Sequence, residues 1–172
     1  MKRTDIYPMP EFFERYINLT DDVELKDAFA ISLQELKQLP LDKWKTIGDK
    51  VYAPDKWTIK DILQHMIDTE RILTYRALCI ARGESARLPA FDEESYARHT
   101  DASNRTLEDL IDELSSVRAS SLAMFNSFTE EMLQRSGLSF RGSYSVLALG
   151  FIVTGHQRWH LNIIKERYEV LG

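Results

Sequence analysis

From Val146 to Val153 the chain is apolar almost all the way round a helix, through Val146, Leu147, Leu149, Phe151, Ile152 and Val153. A helix without a polar face has to be enclosed by other elements, so the rest of the chain must supply partners for it. Three further runs have the right spacing. Leu25, Phe29, Leu33, Leu36 and Leu39 recur at three- and four-residue steps, predicting an amphipathic helix over about 20–39 that ends before Pro40. Ile59, Ile62, Leu63, Met66, Ile67, Leu73 and Leu78 predict a second over 58–82, and Leu107, Leu110, Ile111, Leu114, Val117, Leu122 and Phe125 a third over 106–127. The enclosed helix itself is expected over 144–168. Four long helices imply an all-α, four-helix bundle in one domain spanning 1–172.

The ends of these runs carry their own signals. Thr58 with Asp61, and Thr106 with Asp109, resemble capping boxes with Asp in place of Glu. Ser143 or Ser145 is placed to cap the last helix, and Thr20, followed by Asp21 and Asp22, to cap the first. Short helices are expected after Pro10 and at Thr129-Leu133. Residues 40–56, broken by Pro40, Gly48 and Pro54, read as a connection, and 83–105 as the longest irregular stretch, a length often used for lids or site walls. Leu138-Ser139-Phe140 is too short to build a sheet. The long links between the first and second and the second and third helices permit crossover connections.

Composition narrows the function. A net charge of −5 disfavours a general nucleic-acid binder, and no apolar run approaches the roughly 20 residues a membrane span needs. The N-terminus lacks the apolar core of a signal peptide. One cysteine, Cys79, excludes an internal disulfide and suits a reducing cytoplasm; between Leu78 and Ile80 it reads as packing rather than as a nucleophile.

The chemistry concentrates in Gly155-His156-Gln157-Arg158-Trp159-His160. Histidines four apart share one helix face and reach one ion together. His65, on or beside the apolar stripe of the second helix, is the natural third ligand. From the residues alone, the pair reads equally as metal ligands or as ordinary core histidines. His99, among Thr100, Asp101, Ser103 and Asn104, reads as a solvated loop residue.

With these residues, the chain resembles the DinB-like (YfiT-like) metalloenzyme family. The resemblance runs through Tyr52-Ala53-Pro54-Asp55-Lys56-Trp57 into His65, then Asp68-Thr69-Glu70-Arg71, Tyr75-Arg76-Ala77-Leu78, Ala81-Arg82-Gly83, Leu88-Pro89-Ala90-Phe91-Asp92 and the Gly155-His156/His160 pair. It implies a four-helix bundle of unusual connection order, with a divalent metal, zinc or nickel foremost, held by His65, His156 and His160. It also implies metal-assisted chemistry on a small molecule. Transfer of a low-molecular-weight thiol is the first expectation, and hydrolysis or a non-catalytic stress-response module with a residual metal site are the alternatives. An interaction protein with metal-free core histidines is a further one. Gln157 stands where HExxH proteases carry their general base, so that mechanism is not supported. Glu70, Arg71 and Arg76 are candidate substrate-binding residues, an arginine being suited to grip a carboxylate. Trp57, Phe91 and Trp159 are expected in the core rather than the pocket. The family often dimerises, so a homodimer through an isologous helix face is expected.

Overall fold

The computed structural model describes residues 1–139 and 142–172. Its helices, in chain order, are α1 (Glu14–Ile17), α2 (Leu25–Leu36), α3 (Leu41–Ile47), α4 (Ile59–Ala81), α5 (Glu93–Arg98), α6 (Leu107–Asn126), α7 (Glu130–Gln134) and α8 (Val146–Ile163). A π-helical turn, Ile164–Tyr168, extends α8, and strands β1 (Ser136–Ser139) and β2 (Gly142–Ser145) form an antiparallel pair. The bundle is α2, α4, α6 and α8, and among the described residues no helix is long and apolar enough to cross a membrane.

Three of the four long helices begin close to where their capping residues place them. The hydroxyls of Thr58, Thr106 and Ser145 accept from the backbone N–H groups of Asp61, Asp109 and Ala148. Around Thr58 the box is complete, since Asp61 also accepts from the Thr58 N–H at 2.9 Å. The first long helix departs from expectation. It starts at Leu25, because the Thr20 hydroxyl donates to the Ile17 carbonyl at 2.7 Å. Asp21 pairs with Arg158, and Asp22 accepts from the Thr4 N–H.

Residues 40–56 are not merely a connection. Pro40 opens and Gly48 closes α3, Gly48 at φ 63°, where a side chain would be strained. The stretch 83–105 likewise contains α5, capped by the Asp92 carboxylate, and a 3₁₀ turn at Ala102–Asn104. Leu138 and Ser139 pair with Ser143 and Gly142 in a two-stranded ladder, while Phe140 lies outside the described residues. This hairpin is a local clasp: the Leu88 N–H donates to the Leu138 carbonyl at 3.0 Å.

The helices pack as a square in the order α2, α6, α4, α8. Consecutive helices α2 and α4 are therefore diagonal, as are α6 and α8, whereas α4 and α6 are neighbours. Contacts along the helices set their directions. Phe29 meets Phe125 and Ser32 meets Arg118, so α2 and α6 are antiparallel. Gln64 meets Arg105 and Glu70 meets Arg118, so α4 and α6 are parallel. Crossovers thus occur in the first and third links. The second link, 82–106, carries the chain back along the bundle, because two parallel neighbours require a return connection.

Two apolar clusters fill the square. One joins α1, Phe29, Leu73, Ile80 and the first half of α8; the other joins Trp44, the first half of α4, the first half of α6, Ile164 and Tyr168. A polar layer separates them, made of Ser32, His65, Glu70, Arg118, Ser121, His156, Gln157 and His160, all buried. The candidate site belongs to this layer.

Candidate metal centre

α4 and α8 bring three imidazoles together. The Nε2 atoms of His65 and His156 are 3.1 Å apart, and those of His156 and His160 3.0 Å. The three ligand atoms lie within 4.8 Å of one another. His65 comes from the first turns of α4 and the pair from the last turns of α8, so the antiparallel packing of these helices is what makes the cluster. Gly155 allows the close cover over it: a Cβ there would lie 2.0 Å from the Tyr16 carbonyl oxygen. The Tyr16 ring consequently stands edge-on to His156 at 5.3 Å. Trp57 lies against His65 at 4.8 Å.

Whether these residues fit a metal is a question of donor chemistry. Each neutral imidazole carries a single N–H, so His156 Nε2, with one lone pair or one N–H, cannot fully satisfy the Nε2 atoms of both His65 and His160. An ion about 2.0–2.1 Å from each nitrogen in tetrahedral geometry places the nitrogens about 3.3 Å apart, close to the separations of the His65–His156 and His156–His160 pairs. The protonation state also suits ligation. Burial holds His65 down at about 4, and burial, reinforced by the charges of His65 and Arg15, holds His160 at about 3. His156 lies well below the ordinary histidine range, again through burial and then its two histidine neighbours. All three rings are neutral at neutral pH, the form that binds metal. The Thr69 hydroxyl sits 3.4 Å from His65 Nδ1, while His160 Nδ1 is buried without a hydrogen-bond partner among the described residues. The residues fit a divalent cation.

Behind the histidines is an ion pair. Arg118 donates through Nε and Nη2 to the two Glu70 oxygens, each at 2.9 Å, and through Nη1 to Gln157 Oε1 at 2.9 Å. The Ser121 hydroxyl donates to Glu70 at 2.7 Å. Gln157 then donates to the Ser32 carbonyl and to Glu35. This network ties all four bundle helices together beside the cluster.

Two cavities reach the histidines. One, of about 180 Å³, has Tyr52, Trp57, Tyr168 and His160 in its wall. The other, of about 280 Å³, has Phe13, Arg15, Tyr16, Arg76, Phe91 and His156 in its wall. The three charged candidates therefore have different fates. Arg76 lines the second cavity, donates to the Pro89 carbonyl at 2.7 Å and lies over the Phe91 ring. Arg71 is exposed and pairs with Glu113 at 2.6 Å. Glu70 lines neither of these two cavities and is buried, because Arg118 holds its carboxylate in the polar layer. Trp57 and Phe91 line cavities; Trp159 packs on the first apolar cluster, edge-on to Tyr16. His99 is exposed at the end of α5, with Nδ1 at 2.7 Å from the Ser95 carbonyl. Cys79 is half-buried against the core.

Arg118 was not singled out by the sequence reading, although a signal exists. It occupies the row of Leu114, Ser121 and Phe125, where a lone charged residue marks a buried partner. Arg15 and Tyr16 had no such signal, since a four-residue helix has too little periodicity to show which face is covered.

The fold and the histidine cluster together define a helical-bundle protein with a candidate metal centre, of one family. The chain belongs to the DinB superfamily, whose model matches residues 24–164. It is 28% identical over 117 residues, 67% of each chain, to a protein of Oceanobacillus iheyensis described as a candidate metal-dependent hydrolase. The fold is similar to that of YfiT from Bacillus subtilis, described as a metal-dependent hydrolase candidate with an unusual four-helix bundle topology. The TM-score is 0.69 at 16% identity, covering 96% of this chain and 90% of that one.

Proposed function

We propose that the chain is a metal-dependent enzyme acting on a small molecule, with His65, His156 and His160 as the ligands. The observation that carries this is the convergence of three buried, neutral imidazoles from two antiparallel helices, open to two cavities. A divalent ion held there would lower the pKa of a water or a thiol, supplying a nucleophile at neutral pH. The chain's own residues do the rest. The polar layer holds α4 and α8 in register, Tyr16 and Trp57 shield the rings from bulk water, and Arg76 presents a cation to the second cavity.

Transfer of a low-molecular-weight thiol to an electrophile is the first reading, and zinc or nickel the first metals. Hydrolysis is the second, favoured by how the two relatives are described. We also propose that the protein works as a homodimer. Metal analysis of untagged protein tests the centre, followed by assays of thiol consumption and of ester and amide hydrolysis on the loaded chain. A chain purified under gentle conditions that contains no metal and takes none up would overturn the reading.

A further inference from the structure

The return link from α4 to α6 passes over the histidine cluster, and one of its side chains belongs to both cavities. Glu94, in the first turn of α5, lines the cavity with His160 in its wall and the cavity with His156 in its wall. Among the described residues no other does so. Its carboxylate is exposed and has no hydrogen bond or ion pair with the described residues. The placement is held from both sides. Asp92 caps α5 by accepting from the Ser95 N–H at 3.0 Å, and Arg76 grips the Pro89 carbonyl just upstream. The Phe91 and Tyr96 rings pack at 5.3 Å across the start of the helix. The other charged groups in the walls are Asp55 and Lys56 in the first cavity, and Arg15, Arg76, Asp92 and Glu93 in the second. None of these lines both of these two cavities.

We propose that Glu94 is the proton-transfer residue of the site, a role that rests on the metal-centre reading above. The water or thiol O–H or S–H bond breaks, its electron pair stays on the oxygen or sulfur, and the proton forms an O–H bond on Glu94. Attack forms the new bond to the electrophile. As the bond to the leaving atom breaks, that atom keeps the electron pair and takes the proton from Glu94. No electron is gained or lost. A carboxylate suits the task because it can take up a proton and hand it back, and this one borders both cavities. Asp92, committed to its helix cap, is less free to do this.

The test uses untagged full-length protein loaded with Co²⁺ alone. The visible absorption of the cobalt, followed against pH, reports ionisation at its open positions. Removing a neighbouring negative charge makes that ionisation easier, so Glu94→Gln is expected to lower the midpoint by about one pH unit. Cobalt affinity is expected to stay within about threefold of the parent, since no ligand is lost. Asp101→Asn, the same loss of charge on the same link but in neither cavity, is expected to shift the midpoint by less than about 0.3 unit. An unmoved or raised midpoint in Glu94→Gln overturns the role, as does an equal shift in Asp101→Asn. A tenfold or greater loss of affinity overturns it differently, by making Glu94 a ligand. A parent chain that takes up no cobalt overturns the metal centre itself, and this role with it.

Discussion

His160 and His99 are the same chemical group in opposite surroundings, and the contrast makes the simplest test of the site. His160→Ala should lower metal content and remove most of the stabilisation that added metal provides, because a ligand is gone. His99→Ala should change neither, since its ring is in water. Metal content and melting temperature with and without metal, measured on both variants beside the parent, decide this. The buried ion pair gives a second expectation. Arg118→Met leaves the Glu70 carboxylate buried and unpaired, costing about 3–5 kcal/mol in urea denaturation. Adding Glu70→Met should recover much of that loss, because no orphan charge remains. A third concerns pH. Burial pushes the Tyr168 phenol up to about 12, whereas an unfolded tyrosine titrates near 10. Between these values the unfolded chain has released a proton that the folded chain keeps. The Tyr168 contribution is therefore whole below pH of about 10 and lost as pH rises toward 12. Tyr168→Phe should be about 1 kcal/mol less stable near neutral pH, because the Trp57 carbonyl loses its hydroxyl donor. Its stability should also fall less steeply through the alkaline window, which denaturation curves at stepped pH would show.

At the level of elements, helix α8 holds the site because two glycines let neighbours in. A methyl at Gly155 would meet main-chain atoms of Tyr16, which cannot rotate aside, whereas one at Gly150 would meet the Leu25 side chain at 2.9 Å. Gly155→Ala should therefore cost about 1–3 kcal/mol or more and weaken metal binding by displacing Tyr16 and His156. Gly150→Ala should cost less and leave metal binding intact. Thermal melts and metal titrations of the pair provide the comparison. The readability of the elements follows similar lines. Helices α4 and α6 were legible almost to the residue, because cap and apolar stripe agree. Helix α3 was hidden by reading Pro40 and Gly48 as loop punctuation, when they stand at the start and end where helices favour them. The start of α2 was misplaced because Thr20, Asp21 and Asp22 are drawn to partners at Ile17, Arg158 and Thr4. Such partners are invisible to a local pattern.

For the whole molecule, metal should act as a clamp between α4 and α8, adding about 2.7 kcal/mol at a hundredfold excess over its dissociation constant. Differential scanning calorimetry at increasing metal concentration should show the melting temperature climbing, and acidification should abolish the rise as the imidazoles protonate. The all-α bundle and the long helices were set by local pattern alone, since periodicity and capping act within a few turns. The order of the helices around the square was not, because it depends on which stripes meet. Two of the links expected to permit crossover behave differently: 37–58 crosses the diagonal, while 82–106 joins parallel neighbours and runs back along them. The pairing of Glu70 with Arg118 was equally beyond local pattern, since a charged residue on a stripe announces burial without naming its partner. So too was the arrival of Glu94 at both cavities, which follows from the path of the return link. Sequence by itself determined which side chains could bind a metal; only tertiary packing decided that α4 and α8 run antiparallel and place those side chains around one point, because a distance across the bundle is set by every helix that fills it.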